Sequence, residues 1–569
     1  MSPTKIHSNP IFLRGSFLVY GLFVVFFVSI ILTGSLSFVA NSTKVSLQTI
    51  SRNEAFHVSE AGVLWYRWYL AHMVDGRTAQ QIQAFWTGGT ALGVGGAYTG
   101  VYEDSSGPVG HYSITVVPPA TGSTIVTVTS QGWMDRDSTA IRTIKVRFRR
   151  PSWSEYSALA NDEIRFGEGT EVYGRIHSNF GVRFDGVAHN IITSSVASYD
   201  DPDHCEGALH WDGSKWVCNF SRDEFGVHTH ANAPSGSGVN DSYRSAEAPP
   251  SAVPARIDVF QAGRTFPVPT VDFNGVLADL NLMKGQACTY NSNTPPQCTV
   301  VNNCSAAGCY FDTTGVGRQI VLKANGTYDV YTVNSLDATT NNINDYMGTK
   351  NSDGTGSACT TGITTSGPNT MCKDTTSNPK CYCAKKNYKI PDNGIIFVED
   401  NIWLDSNLIS GTNFEKFDKS YQGATLMNGE AKVSIVAANI SGGSAANMFL
   451  GGTPIQYARS DGSTILGIIG QKDIEIIKNS QDHLRIDGAL LAQTGRVGRA
   501  NYGSSDHRSD ITVNGAIATN QRYGFAWTNG SLDWGYTTRN LIFDNNLLYY
   551  PPPFFPTGTQ YLMDLWEEL

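Results

Sequence analysis

The chain has 569 residues, and its 50 acidic residues outnumber its 41 lysines and arginines, for a formal net charge of −9. This balance argues against a nucleic-acid partner, which would need a basic surface. The sequence contains no GxSxG, HExxH or Walker motif, so it offers no motif of a serine hydrolase, a zincin or a P-loop NTPase.

The amino terminus combines a short basic leader with a long apolar stretch. Lys5 and Arg14 precede residues 16–40, which carry no charge. About 20 such residues cross a bilayer, and the basic leader predicts that the amino end stays in the cytoplasm while the rest lies outside. Phe38 does not suit a signal-peptidase site before residue 41, so any cleavage is expected after Gly15. An uncleaved signal anchor remains an equal alternative.

Residues 41 to about 73 predict an amphipathic continuation of the same helix. Apolar residues recur mostly three and four positions apart and define one predicted face, formed by Leu47, Ile50, Val58, Ala61, Trp65 and Trp68. The whole helix, of about 55 residues, would be ~80 Å long. It suits a subunit that stacks helix against helix, but a membrane anchor with a stalk predicts the same pattern.

Two motifs flanking the apolar stretch resemble a known family. Arg14-Gly15, the apolar helix and the segment EAFHVSEAG at 54–62 are together similar to the start of PilX-type type IV pilus-assembly proteins. Over residues 10–72 this resemblance implies a prepilin-like leader, 1–15, cut after Gly15 by a prepilin peptidase, with N-methylation of Ser16. It also implies contacts with other pilins through the helix. Major pilins have a glutamate five residues into the mature chain, whereas this chain has Tyr20, so we expect a minor component.

The region 41–150 predicts a pilin-like domain of helix and sheet. Apolar and polar residues alternate at 97–102, 112–117, 125–129 and 141–148, with turn residues between them. Alternation indicates an antiparallel sheet with one buried face, which we expect to lie on the helix. We interpret the basic cluster at 147–151 as a solvated linker.

From residue 161 onward, short apolar segments repeat around glycine turns, as in LRIDGAL at 484–490 and ITVNGAI at 511–517. This weak repeat favours a right-handed parallel β-helix over 161–569, with a β-sandwich as the alternative. The fold class is thus mainly β with one long N-terminal α-helix. The order of segments such as GIIFVEDNIWL at 394–404 also resembles the exterior region of PilX-like proteins that carry a β-helical domain.

Three stretches depart from this repeat. Residues 196–270 and 285–390 are interpreted as loop-rich insertions, which a solenoid tolerates on one side. Residues 551–569 are expected to form a C-terminal cap, with one or two helical turns at 561–566.

All ten cysteines lie between 205 and 383, outside the membrane, and their even number predicts disulfides. Cys205 and Cys218 flank a turn and form the expected local pair. The pairing of the others is left open: Cys288, Cys298, Cys304, Cys309, Cys359, Cys372, Cys381 and Cys383. Zinc binding by cysteine is the rival interpretation, but no CxxC pair occurs.

Candidate metal ligands are confined to the first insertion. If a cation binds, the candidate ligands are Asp201, Asp203, His204, His228 and His230, although their spacing matches no familiar loop and surface turns favour Asp anyway. We therefore expect no metal, no cofactor and no catalytic residue.

The sequence as a whole favours a non-enzymatic minor pilin-like component, located at or near a pilus tip and presenting the β-helix for adhesion or subunit contacts. Its expected partners are other pilins, the prepilin peptidase, the membrane and a surface or glycan ligand, without nucleic acid. A membrane-anchored β-helical carbohydrate-active enzyme and a structural envelope polymer are the alternatives.

Overall fold

A computed structural model gives the architecture of the chain. It describes residues 16–569 except for 75–76, 78, 106, 120–122, 202–208, 212–215, 219–222, 233–246, 274–278, 289–297, 299–302, 306–307, 314, 325, 347–369, 374–379, 384–387, 407, 411–412, 415–430, 458, 530–531 and 559.

One long helix, α1 (Ser16–Val74), begins the described chain, and a short helix, α2 (Ala79–Thr87), follows it. The amino-terminal half of α1 is exposed, and its most apolar 18-residue window has a mean hydropathy of 2.5 with none of it buried. By length and composition this helix can cross a membrane. Hydroxyls within it bond back to the preceding turn, as Ser29 does to the Val25 carbonyl at 2.7 Å, so they need no outside partner.

The second half of α1 packs on an antiparallel sheet, as the alternation predicted. Its first four strands are β1 (Tyr98–Asp104), β2 (Gly107–Val117), β3 (Ile125–Met134) and β4 (Asp137–Arg149), joined in sequence order. Val128 and Val146 on the sheet and Val58 and Leu70 on the helix are fully buried in one core cluster.

The buried face of α1 differs from the predicted one. Leu47, Ile50 and Trp68 are each at least 45% exposed, so this part of the prediction is wrong. The buried stripe instead includes small and polar residues, Ser59 and Gly62 among them, which a count of apolar positions leaves out. Small residues are needed because helix and sheet approach closely: a Cβ on Gly132 of β3 would lie 2.2 Å from the Ser59 nitrogen.

Short strands make up most of the remaining chain. In order they are β5 (Ala158–Ala160), β6 (Ile164–Phe166), β7 (Thr170–Val172), β8 (Ile176–Ser178), β9 (Val182–Phe184), β10 (Val187–Ala188), β11 (Ile192–Ser194), β12 (Ser198–Tyr199), β13 (Leu209–Trp211), β14 (Trp216–Cys218), β15 (Glu224–Phe225), β16 (Val227–His228), β17 (Arg264–Thr265), then helix α3 (Leu280–Ala287), β18 (Asn303–Ser305), β19 (Gly308–Phe311), β20 (Gly317–Leu322), β21 (Thr327–Asp337), β22 (Asn342–Tyr346), β23 (Thr370–Lys373), β24 (Lys380–Cys383), β25 (Tyr388–Lys389), β26 (Ile395–Val398), β27 (Ile402–Ser406), β28 (Leu408–Ser410), β29 (Asn413–Phe414), β30 (Ala431–Ala437), β31 (Met448–Leu450), β32 (Thr464–Gly470), β33 (Ile474–Ile476), β34 (His483–Ala492), β35 (Val497–Arg499), β36 (His507–Thr519), β37 (Ala526–Asn529), β38 (Leu532–Ile542) and β39 (Leu562–Glu568). Two 3₁₀ turns lie at Trp153–Glu155 and Asn545–Leu548.

Most of these strands pair in parallel. Ten strands of the main sheet follow the order β17-β11-β8-β5-β36-β34-β32-β30-β26-β19, with every neighbouring pair parallel, and β18 continues the sheet antiparallel to β19. From β26 to β36 the chain visits this sheet and a second parallel sheet, β20-β27-β31-β33-β35, in turn, apart from the hairpin β28–β29. Such long runs of parallel pairing do not fit a β-sandwich, whose sheets are antiparallel.

The repeated glycine turn has a structural cause. Gly488 of β34 and Gly515 of β36 are register partners with φ of 149° and 156°, a backbone conformation that residues with a side chain rarely adopt. A Cβ on Gly515 would lie 1.9 Å from the Gly488 carbonyl oxygen. Stacked strands that bend at the same point therefore need glycine at that point.

Both faces of the main sheet are buried. In β26, Ile396 and Val398 belong to one apolar cluster, and Ile395 and Phe397 belong to another. Residues from outside the sheet, including the Met283 side chain of α3, take part in the second cluster. This burial explains why the central strands read as continuous apolar runs.

The two predicted insertions are more than loops. Strands β16 and β17 of the first pair in parallel with β9 and β11, and strands β19 and β20 of the second pair with β26 and β27. The Asp- and Cys-rich composition concealed them because each strand is only two to six residues long.

The carboxyl terminus corrects two predictions. Residues Leu562–Glu568 form a strand rather than helical turns, and this part of the expected 551–569 cap, β39, joins the first domain's sheet beside β4. The earlier part of that range does pack on the main sheet, where Phe555 is buried in its second apolar cluster. Arg147 and Arg149 of the basic cluster bind Asp564, with Nε–oxygen distances of 2.9 and 3.3 Å. The cluster is therefore part of a paired strand and not a solvated linker.

Candidate functional site

Four potential metal ligands converge beside the first parallel strands. Asp201 follows β12, which pairs with β15 so that Tyr199 lies opposite Glu224. His228 ends β16, where it is the register partner of Arg183 on β9, and His230 follows two residues later. Strand pairing thus brings together side chains from two separate stretches of chain.

The ligand atoms of Asp201, Glu224, His228 and His230 all lie within 4.8 Å of one another. His228 Nε2 is 3.0 Å from Glu224 Oε2 and 3.5 Å from Asp201 Oδ2. His230 Nε2 is 2.9 Å from Glu224 Oε1 and 3.9 Å from Asp201 Oδ2. Both carboxylates therefore face both imidazoles in a site from which water is largely excluded.

Neighbouring groups fix these side chains. His228 Nδ1 donates to the Phe225 carbonyl at 3.1 Å, so a neutral ring turns the lone pair of Nε2 toward the carboxylates. Arg183 donates from Nε to Asp185 at 2.8 Å and from Nη1 to Asp201 at 3.3 Å. The Asp185 carboxylate in turn accepts from the backbone nitrogen of His230 at 2.7 Å.

The electrostatics of the cluster call for a positive charge between the carboxylates. Burial alone would lower the pKa of His228, but Asp201 and Glu224 outweigh it and raise the pKa to about 9. Burial opposes the ionised form of Glu224, yet the two histidines lower its pKa to about 2. Burial lowers the pKa of His230. A proton on His228, or a cation in its place, compensates the charge of the carboxylates.

The sequence identified part of this cluster. The structure brings Asp201, His228 and His230 together, whereas Asp203 and His204 lie outside the described residues. Glu224 was missed, although its spacing of four and six residues from the two histidines was a usable signal. No comparable spacing relates Asp201 to the two histidines.

The processing site is only partly visible. Gly15 lies outside the described residues, and Ser16 is the first residue of α1. Tyr20 is 69% exposed on the apolar half of the helix.

Two disulfides join cysteines that the structure describes in the second insertion. Cys288 bonds Cys298, and Cys304 bonds Cys309 across the register pair of β18 and β19. Cys218 lies on a described strand, but Cys205 lies outside the described residues, as does Cys359, so the expected Cys205–Cys218 pair stays a prediction. Cys372 and Cys381 are register partners in the hairpin β23–β24, which also contains Cys383.

Glu475 of β33 is a buried carboxyl with an unusual pKa, which burial raises to about 7. Its Oε2 is 3.7 Å from Arg496 Nη2. The nearby Asp473 carboxylate also raises this pKa, and the Arg496 guanidinium opposes the rise, an arrangement that structural ion-pair networks produce as well as active sites do. Glycoside hydrolysis would further need two carboxyl groups flanking the bond that breaks.

Among known proteins, similarity to this chain was found only in solved structures. No protein-family model matches the chain, and no curated protein matches it. Among solved structures, the competence-associated pilin ComZ from Thermus thermophilus is similar over 91% of this chain and 97% of its own, at 13% identity and a TM-score of 0.29.

Proposed function

We propose that this chain is a non-enzymatic minor pilin-like component of a type IV pilus or a related assembly machine. The proposal places it at or near the tip, where a β-helical exterior domain is presented for adhesion or for contacts with other subunits. The amino end faces the cytoplasm, and the rest lies outside or in the filament.

One observation carries the proposal: α1 is continuous from Ser16 to Val74, bare and apolar in its first half and packed on an antiparallel sheet in its second. A simple anchor has no need of a rigid extension that is continuous with the folded domain. A subunit that assembles by helix packing needs both halves in one rigid element. The side chains of Leu47, Ile50 and Trp68, left exposed by the sheet, are available to helices of other pilins.

Tyr20 supports a minor role. A glutamate at this position would be costly to bury in a filament unless a neighbouring amino terminus met it. A tyrosine neither requires nor supplies that pairing, so the chain fits a place where no subunit follows in the ordinary register.

The parallel sheets support the β-helical part of the proposal. Main-sheet strands β26, β30, β32, β34 and β36 each lie beside the next, and the chain crosses to the second sheet between them. Repetition of this path produces stacked coils, which offer a long side surface for a glycan or protein ligand.

The test is the amino terminus of the mature protein, produced in a cell that has a prepilin peptidase. We expect a mature chain beginning at Ser16, and Gly15→Val should leave the leader attached because a bulky residue blocks the cut. Gly21→Ala is the matched control, since a Cβ there meets nothing within 4 Å, and it should be processed normally.

Two results would contradict the proposal. An unchanged leader on the wild-type chain would indicate a plain signal anchor. Hydrolysis of a polysaccharide by the purified chain would instead favour the carbohydrate-active alternative.

A further inference from the structure

We propose that Asp201, Glu224, His228 and His230 bind one Zn²⁺ ion, which holds the first insertion against the parallel sheets. The site is independent of the pilin-like role, since it lies in the exterior domain and involves no part of α1.

The first argument is the spacing of the ligand atoms. Tetrahedral zinc with bonds of about 2.0–2.2 Å places its ligand atoms about 3.3–3.6 Å apart. The four distances between imidazole nitrogens and carboxylate oxygens are 2.9, 3.0, 3.5 and 3.9 Å. These distances lie on either side of the tetrahedral value, so a zinc ion fits among the four groups with small side-chain shifts.

The second argument is the orientation of His228. This side chain is fully buried, and within the described part of the chain its Nε2 makes no hydrogen bond, although Glu224 Oε2 lies 3.0 Å away. The opposite nitrogen, Nδ1, donates to the Phe225 carbonyl. Zinc-binding histidines are typically held in this way, with one ring nitrogen on a backbone carbonyl and the other on the metal.

The surrounding groups complete a second layer. Arg183 binds Asp201 and Asp185, and Asp185 binds the His230 backbone. Arg183 offsets part of the negative charge, but two carboxylate ligands and Asp185 still exceed it by two charges. A divalent cation balances this excess.

The ligand set selects zinc over calcium and magnesium. Calcium takes six to eight oxygen ligands, and magnesium keeps several waters in an octahedral shell. Two imidazoles and two carboxylates in a buried, four-ligand site fit Zn²⁺, and four protein ligands leave no open position, as in structural zinc sites.

The structural consequence follows from where the ligands lie. Asp201 follows β12, Glu224 is in β15, and His228 ends β16, which pairs with β9 of a parallel sheet. Strands of two residues are weak by themselves. A metal ion joining them would fasten this stretch to the sheet more firmly than two hydrogen-bonded pairs.

The experiment uses the full chain in detergent, produced in zinc-supplemented medium. We expect one zinc per chain by mass spectrometry of the metal, and uptake of one Zn²⁺ after removal with a chelator. Co²⁺ taken up in its place should give the intense visible absorption of tetrahedral cobalt. Glu224→Gln and His230→Gln keep side-chain size and should each lower zinc affinity by more than the roughly 10- to 100-fold typical of an outer-layer residue.

His483→Ala is the matched control, because His483 also lies beside two carboxylates, Asp482 and Asp510, but on the exposed surface. It should bind zinc as the wild type does. Absence of zinc from the purified chain together with no uptake would overturn the proposal and identify the cluster as an ion-pair network around protonated His228. A wild-type affinity for Zn²⁺ in both Glu224→Gln and His230→Gln, or an octahedral Co²⁺ spectrum of the wild-type chain, would overturn the proposal as well. The Co²⁺ spectrum needs no variant, so it tests the proposal even if a variant fails to fold.

Discussion

The close contact between α1 and the sheet predicts a large effect from one added methyl group. Gly132→Ala places a Cβ 2.2 Å from the Ser59 nitrogen and 2.5 Å from the Ala55 carbonyl oxygen. Both atoms belong to the helix backbone, so no side-chain rotation can relieve the overlap. The helix must move away from β3.

The size of the effect follows from the distance. Ordinary contact begins near 3.4 Å, so the helix must move by about 1.2 Å, and a gap of even 0.5–1 Å loses about a quarter to a half of the local attraction. Ala55 and its helix neighbour Val58 are fully buried at this contact. Burial of a valine-sized side chain is worth about 1.5–3 kcal/mol, so we expect a loss of about 1–3 kcal/mol, the usual range for overpacking.

Hydrogen exchange of the helix peptide around residues 55–66, in the full chain, measures this loss locally. A destabilisation of that size corresponds to exchange about 5- to 150-fold faster. Gly96→Ala is the control, because a Cβ there meets nothing within 4 Å. Equal exchange in the two variants would refute the reasoning that small residues set the distance between helix and sheet.

Three further predictions concern the parallel-sheet domain. Arg499→Met removes the fully buried partner of Asp506 and should lower the free energy of unfolding in urea by about 3 kcal/mol, the low end for a broken buried pair because Arg508 stays 3.2 Å from Asp506. Adding Asp506→Asn should recover part of this loss, and an unchanged stability of Arg499→Met would disprove the pairing. The pKa of Glu475 is raised to about 7 in the folded chain, so between about pH 5 and 7 the folded state keeps a proton that the unfolded state has lost, and the free energy of unfolding should fall as pH rises. Glu475→Gln should make the free energy of unfolding less dependent on pH in this range, and an unchanged dependence would assign it to other groups. Reduction of the Cys304–Cys309 disulfide should speed hydrogen exchange in β19 and β26, since Cys309 is buried and is the register partner of Ile396. Unaltered exchange would show that this disulfide does not stabilise the two strands.

Local periodicity predicted the first domain well, because its pattern is dictated by neighbours in sequence. The four strands from β1 to β4 were found from alternation alone, and α1 from an uninterrupted apolar stretch and its continuation. The helix face was wrong because Ser59 and Gly62 are buried for their small size, and a hydrophobicity pattern does not register size.

The tail could not be predicted from its own residues. Leu562–Glu568 mixes apolar and acidic residues without strict alternation, and its four large apolar side chains stay 37–46% exposed. As a strand it pairs with β4, and its acids meet the basic residues there: Glu568 binds Arg142 and Asp564 binds Arg147. Charge complementarity between two segments more than 400 residues apart leaves no pattern in the sequence of either segment alone.

The candidate zinc site lies between these cases. Residue type alone pointed to Asp201, His228 and His230, because histidine and aspartate together are common ligands. Their convergence depends on the pairing of β16 with β9, and two-residue strands have no periodicity to reveal it. The types of ligand residue could therefore be predicted from the sequence, whereas their position in one site could not.

The carboxyl-terminal strand also determines how the exterior domain is joined to the helix. The chain leaves the first domain at β4 and returns as β39, and between them Trp153 donates to the Pro556 carbonyl at 3.0 Å and Gly558 to the Pro151 carbonyl at 2.8 Å. Tyr561 is buried in the helix-and-sheet core, where its hydroxyl accepts from Trp86 at 3.2 Å. Two hydrogen-bonded segments resist bending and twisting far more than one linker does. The direction of α1 therefore fixes the direction of the parallel sheets, which is the property that a subunit needs if helix packing is to decide where its exterior domain points.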